Sequence, residues 1–443
     1  SAALGEEMKV CSTRSVVFVL ALLPAIAGAQ QDAARPISLD EAIKLAQLNA
    51  PLTVQARNAL RSTDASVKSA ISQYIPSLSL TGSAARAGGT TFFQGTLVPF
   101  RGDPWSYAKG FSANLQLFDG GQRWYNYKAA EANVDAASAT EVNSRFTIAL
   151  NVKQQYYQIL AARESEAAAN RGFEQADQNL KFAATKVIAG TATRSDSLRA
   201  AITVANARLA ILTAQNNLRA ANAALTRLTA SPVPLTAVPS DTSEMGRIDL
   251  DSASLSKLAE QGPTVRQASA TLAAANASRK AAKTPYLPTV TSSYLFNENN
   301  SNDRFTFGGG PSSTSNNLRF ALNYPIFNNY AREQTLTLAN IAADNAEANY
   351  RDLRLGQQQQ LVQLLGTFHL AQERVKVQLV TIQSAEEDLR VQQQRYSLGA
   401  ATQLDILSSQ STLDNARAAL IQARFDARTA KAQIEALVGR DLK

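Results

Sequence analysis

The residues able to do chemistry in this chain are few, and the most regular of them come in pairs. A Gly-x-x-Thr-x-x-Asp-x-Leu pattern at Gly190, Thr193, Asp196 and Leu198 returns at Gly399, Thr402, Asp405 and Leu407, about 209 positions later. Glycine at this place suits a left-handed residue just after a helix. The threonine then suits a helix N-cap, with the aspartate three residues on in a capping-box position. A carboxylate at a first helical turn has a second use: facing a lumen, it attracts cations and repels anions. Arg194, Ser195 and Gln403 flank the two carboxylates, and Thr191 and Ala400 follow the two glycines. Catalytic sets are missing from the sequence. His369 is the only histidine and falls inside a long helical stretch, where packing or an interface explains it better than base catalysis. Cys11 is the only cysteine, and no nucleophile-plus-base set, phosphate-binding glycine loop or His/Cys metal set is present. "FGGGP" at Phe307 reads as a flexible loop. The expectation is a protein that is not an enzyme and holds no cofactor or metal.

The elements that would position the paired turns are long. Charged residues are 18% and aromatics 7% of the 443 residues, while Ala, Gln, Asn, Ser and Thr abound. That composition suits long Ala-rich helices better than a compact core, because Ala is the best helix former and allows close packing. All fourteen prolines lie outside Trp105 to Ser231 and outside Ile326 to Lys443. Since proline breaks helix interiors, these two stretches predict helices from about Gln122 to Ala189 and from about Tyr330 to Leu398. At about 1.5 Å per residue each would reach roughly 100 Å. Phe173, Ala176, Leu180, Ala183 and Val187 step by three and four, as in a coiled-coil seam.

The halves match beyond the turns. Phe118 matches Phe327 and Leu228 matches Leu437 at the same offset; upstream, Pro51 matches Pro263 and Tyr74 matches Tyr286 at about 212. A duplication whose first copy has a loop about three residues longer accounts for both offsets. The predicted organisation is 1–29, a secretory signal with an upstream extension; 30–230, the first repeat; 231–252, an equatorial linker; and 253–443, the second repeat. The signal has Lys9 and Arg14, an apolar run and a small-residue end at Ala27-Gly28-Ala29, with cleavage before Gln30. Removing it leaves the net charge of +8 unchanged, and the basic residues form no dense run, so nucleic acid is not an expected partner.

Each copy also carries two stretches of period two. Phe111, Ala113, Leu115 and Leu117 alternate with polar residues, and Leu318, Phe320, Leu322, Tyr324 and Ile326 form an apolar set of the same period. "IPSLSLTGSA" and "LPTVTSSYLF" are their partners. Strands of about ten residues, apolar on one face and polar on the other, are the signature of outer-membrane barrels. Four strands cannot close a barrel, and open edges are not tolerated in lipid. The strands would therefore be pooled between subunits, eight from two chains or twelve from three.

These features together resemble the TolC family of outer-membrane efflux proteins. The resemblance rests on the duplication, on "NAPL" at Asn49, on "YIPSLSL" and "YLPTVTS", on "LFDGG" and "IFNNY" at the strand-to-helix joints, and on the turn from Tyr396 to Asp405. It covers nearly all of the chain after the signal. It implies a mainly α protein with a membrane β-barrel, built of duplicated helix-strand-strand-long helix-helix repeats. It further implies a homotrimer whose twelve-stranded barrel sits in outer-membrane lipid and continues as a twelve-helix periplasmic tunnel, docked to a periplasmic adaptor and an inner-membrane pump. The paired turns would be hairpin tips at the periplasmic mouth. Gly190, Thr191, Gly399, Ala400 and Thr402 would meet the adaptor, and Arg194, Ser195, Asp196, Gln403 and Asp405 would set the gate. Ala401 stands where a basic residue can occur in the family and Ser408 where a second acidic one can, so Arg194 becomes a candidate partner for Asp405 on a neighbouring hairpin. The competing class is a periplasmic coiled-coil scaffold without a channel. Drug efflux and type I secretion share the same duct, and the pump selects the cargo.

Overall fold

The computed structural model describes residues 34–99, 105–238, 251–305 and 311–442. The expected signal and the middle of the expected linker lie outside these residues, as does most of the "FGGGP" stretch. Along the chain run β1 (Arg35–Ile37), α1 (Leu39–Asn49), α2 (Pro51–Ser72), β2 (Ser77–Arg86), β3 (Thr90–Phe93), β4 (Thr96–Pro99), β5 (Trp105–Phe118), α3 (Gln122–Ile188) and α4 (Arg194–Thr229). They are followed by β6 (Leu235–Ala237), α5 (Ser252–Ala259), α6 (Pro263–Ala281), β7 (Thr289–Asn302), β8 (Ser312–Asn323), α7 (Ala331–Ser397) and α8 (Gln403–Val438). The two copies keep equal measure: α3 and α7 are 67 residues each, and α4 and α8 are 36 each. At about 1.5 Å per residue the longer pair spans roughly 100 Å.

Alanine makes the close contacts between these helices. Ala176 and Ala183 in α3 and Ala423 and Ala427 in α8 are buried. Larger side chains gather near the middle, where Val152, Tyr156 and Ile159 of α3 pack with Leu225 of α4 and with Ile37 and Leu235. There β1 and β6 form a short parallel pair. The Tyr156 hydroxyl ties it down, donating to the Ile37 carbonyl at 3.1 Å and accepting from the Val238 amide at 3.1 Å. Part of the expected linker is thus a buried strand. His369 is exposed on α7 in the single chain.

Four strands form one antiparallel sheet in the order β2-β5-β7-β8. All four sit where period two predicts them. The alternation expected through Leu117 ends at Leu115, because the β5–β7 register shifts between Gln116 and Phe118 and pairs Phe118 with Val290. The alternation expected through Ile326 ends with β8 at Asn323, just before Pro325, which has no amide to donate. The glycine-rich loop after β2 holds an unexpected hairpin, β3–β4, turning at Gln94 and Gly95 with φ of 47° and 82°.

One face of the sheet carries Leu78, Leu80, Phe111, Ala113, Leu115, Tyr294, Phe296, Leu318, Phe320 and Leu322 in matching register. Leu80 and Leu322 on this face are 84% and 72% exposed in the single chain, so it has no cover of its own. The other face bears Ser, Thr, Asn and Gln and lines a cavity of about 810 Å³. Among the described residues, no helix is long and apolar enough to cross a membrane.

Candidate functional site

The strand-to-helix joints are built alike. After β5, Gly120 and Gly121 have φ of 64° and 86°; after β8, Asn329 and Tyr330 have φ of 54° and 60°. These left-handed pairs turn the chain from strand into long helix. A Cβ on Gly120 would lie 2.5 Å from the Leu287 Cβ, so glycine is required there on two counts. An arginine then clamps each joint. Arg123 lies 4.8 Å over the Tyr74 ring and donates to the Leu117 carbonyl at 3.3 Å; Arg332 lies 4.7 Å over the Tyr286 ring and donates to the Ile326 carbonyl at 3.4 Å.

The copies differ in what fills the slot beneath. In the first it is Asp119, which accepts from Gly121 N, Arg123 N and Arg123 Nε at 3.0, 2.9 and 2.7 Å. Both side chains of this ion pair are largely buried. Burial pushes the Asp119 carboxyl up, but the hydrogen bonds from Arg123 and its charge outweigh that and hold it below its ordinary pKa. In the second copy the slot holds Asn328, whose buried Oδ1 has no protein partner, and Arg332 turns to Glu333 instead. The clamps were missed from sequence. The repeat offset that exposed the turns would have found them, since Arg123 and Arg332 obey it.

At the far end of the helices, each paired turn closes as a Schellman motif. Gly190 N and Thr191 N donate to the carbonyls of Val187 and Lys186 at 3.1 and 2.9 Å; Gly399 N and Ala400 N donate to Tyr396 and Arg395 at 3.1 and 2.8 Å. The glycines have φ of 74° and 76°. Reciprocal capping boxes follow. Thr193 and Thr402 accept from the amides of Asp196 and Asp405, and each aspartate's Oδ2 accepts from its threonine's amide and hydroxyl at 2.7–3.0 Å. These bonds hold the carboxyls below their ordinary pKa, by the Thr193 hydroxyl first at Asp196 and the Thr402 amide first at Asp405.

The other tip residues divide by position. Thr191, Arg194, Ser195, Ala400 and Thr402 are exposed. Within the single chain Arg194 makes no ion pair with Asp405 among the described residues. Gln403, grouped with the gate from sequence, lies under the tip at 2% exposure with a buried Nε2 that has no protein partner. The tips also join each other. Lys186 donates to the carbonyls of Tyr396 and Ser397 and sits 4.1 Å over the Tyr396 ring, so the first tip caps the C-terminus of α7. Among the described residues the second tip's counterpart, Arg395, bonds only its own turn, at the Ala400 carbonyl. Ile188 and Leu398 stand outermost at 88% and 84% exposure, and sequence reasoning did not single them out.

An uncovered apolar sheet continued by paired helices of this length, with capped tips at the far end, is the architecture of an outer-membrane channel protein. The chain belongs to the outer membrane efflux protein family, whose model matches residues 42–231 and 254–440. It is 26% identical over 337 residues to the pyoverdine export outer membrane protein OpmQ of Pseudomonas aeruginosa, covering 75% of this chain and 69% of that protein. It is 26% identical over 385 residues to the protein CyaE of Bordetella pertussis, covering 86% and 79%. The open-state outer membrane channel MtrE of Neisseria gonorrhoeae shares the fold at a TM-score of 0.73 and 20% identity, covering 91% of this chain and 89% of that one. The family selects the duct over the coiled-coil scaffold and places the chain in the outer membrane as the exit component of an efflux system.

Proposed function

We propose that three copies of this chain form one continuous duct through the outer membrane and periplasm, docked at its helical tips to a periplasmic adaptor and an inner-membrane pump. The carrying observation is the pair of free edges on the sheet. β2 and β8 each have one bonded neighbour, so both edges carry unpaired backbone groups. Such edges are not tolerated in lipid unless another strand covers them, and three sheets joined edge to edge would close a twelve-stranded barrel. Exposed apolar stripes on the helices point the same way. Ile202 and Leu209 on α4, and Val362, Val377 and Val380 on α7, are each at least 57% exposed in the single chain and await a neighbouring copy.

Disulfide trapping tests the closure. In a flat sheet β2 and β8 of one chain lie about 14 Å apart, three strand spacings, beyond the roughly 7 Å that a disulfide spans. Cysteines at Ser79 on β2 and at Ser315 or Asn317 on β8 can then join only different chains. The expected product under oxidation is a ladder ending at three chains, with the intact detergent complex also weighing three. A ladder ending at two, or monomers alone, would sink the trimeric barrel.

In this reading Asp196 and Asp405 ring the periplasmic mouth with Arg194 and Ser195 beside them, while Gln403 supports the tip from beneath. An Arg194–Asp405 pair would then form between hairpins; it predicts that Arg194→Ala raises conductance. The glycine turns, with Thr191, Ala400 and Thr402, would meet the adaptor, and Ile188 and Leu398 supply apolar contact. Gly399→Val tests this. A Cβ there meets nothing within 4 Å, so the only penalty is positive φ, about 1–2 kcal/mol. Export should fall while trimer yield and membrane insertion hold. Normal efflux together with undiminished adaptor crosslinking at Ala400 would remove the turn from the docking surface.

A further inference from the structure

The polar face of the sheet is almost without charge. The four strands carry only four charged side chains: Arg86, Lys109, Glu298 and Arg319. Arg86 pairs in register with Trp105 and lies 5.9 Å over its ring; Lys109 faces Glu298 at 3.7 Å. Those three share the face of Leu80 and Phe111. Arg319 alone lies on the polar face. It stands opposite Ser293, in a row continued by Asn114 and Ser77, and lines the 810 Å³ cavity. Its neighbours in that row are neutral, its side chain is exposed, and it forms no ion pair among the described residues.

Position adds to composition. β8 is an edge strand, and Arg319 lies four residues before its helix-proximal end at Asn323. In the trimeric duct proposed above, the row would run across the free edge into the next copy, at the helix-proximal end of the barrel. A guanidinium is charged at every relevant pH and presents a fork of donors that matches carboxylate and phosphate oxygens. Rings of such groups in a neutral pore favour anions.

We propose that Arg319, repeated by the threefold symmetry of the trimeric duct proposed above and resting on that reading, forms an oxyanion-binding ring inside the barrel. It draws cargo carrying carboxylate or phosphate groups out of the tunnel. The duct would thus hold two stations of opposite sign, acidic at the periplasmic tips and basic in the barrel.

The test uses the full-length protein in planar bilayers, with tripolyphosphate added on the barrel side. Wild type should show reversible, voltage-dependent blockade that weakens with salt. Arg319→Gln should need at least about tenfold more tripolyphosphate, since three facing charges are lost at once. Arg319→Lys should stay within a few-fold of wild type, and Arg86→Gln, on the outer face, should match it. Equal blockade of wild type and Arg319→Gln, or conducting wild-type trimers that tripolyphosphate does not block, would overturn the ring and leave the duct standing. Protein recovered only as single chains that open no pores would overturn the trimeric duct, and the ring with it.

Discussion

Arg123→Ala should be far more damaging than Arg332→Ala, although the two arginines hold equivalent joints. Removing Arg123 leaves the Asp119 carboxylate in a slot where its side chain is 6% exposed, with its charged partner gone. Breaking a buried pair in this way costs about 3–5 kcal/mol. Arg332→Ala gives up a ring contact, two carbonyl bonds and the ion pair with Glu333, but that carboxylate is 38% exposed to solvent and the slot beside it holds the neutral Asn328. Thermal unfolding in detergent, followed at the helical circular dichroism band, should order the variants clearly. Asp119→Asn added to Arg123→Ala should recover much of the loss, because it removes the stranded charge. Equal losses for the two single variants would show that charge burial is not what distinguishes the joints.

Acid should act at the same place. The folded Asp119 pKa lies below its ordinary value, so its ion pair contributes stability that is fully present above the unfolded pKa of about 3.9 and lost as pH falls through the lower folded value. Wild type should therefore lose more stability than Asp119→Asn on going below about pH 4. Parallel acid profiles for the two proteins would remove Asp119 from the joint's energetics.

The second large effect is expected at the tips. Asp405→Asn should abolish blockade of the pore by multivalent cations added on the periplasmic side, and Asp405→Ala should do the same. The pair separates two roles. Asparagine can still accept from the Thr402 amide and hydroxyl and so preserves the cap, whereas alanine removes cap and charge together. Asp196→Asn should weaken blockade less, because Asp196 is half-buried whereas Asp405 is exposed. The Asp405 carboxyl titrates below its ordinary value of about 3.9, so blockade should persist through about pH 4 and be lost only as pH falls further, through the lowered value. Retained blockade in Asp405→Asn would reduce Asp405 to a helix cap.

What could be read from the sequence was whatever a few neighbouring residues decide. Long runs free of proline set the two great helices to within a residue or two of their ends, since helix hydrogen bonds reach only four residues back. The glycine turns and capping boxes were legible because donor, acceptor and positive φ all fall within a span of Lys186 to Asp196, repeated at Arg395 to Asp405. Period two marked the strands, but not their order, because pairing β5 with β7 joins the two halves of the chain. Only the tertiary structure could bring Arg123 onto the Tyr74 ring, Lys186 onto the end of α7 and β1 beside β6, since each contact spans many intervening residues. It also decided which polar side chains are hidden. Gln403 looks like a surface residue near Asp405, yet the two steps between them along a helix turn the side chain by about 200°, and that turn takes Gln403 under the tip. For Arg319 the reason is pairing register: strand period alone gives two faces, and only the folded sheet shows that all other strand charges lie on the opposite one.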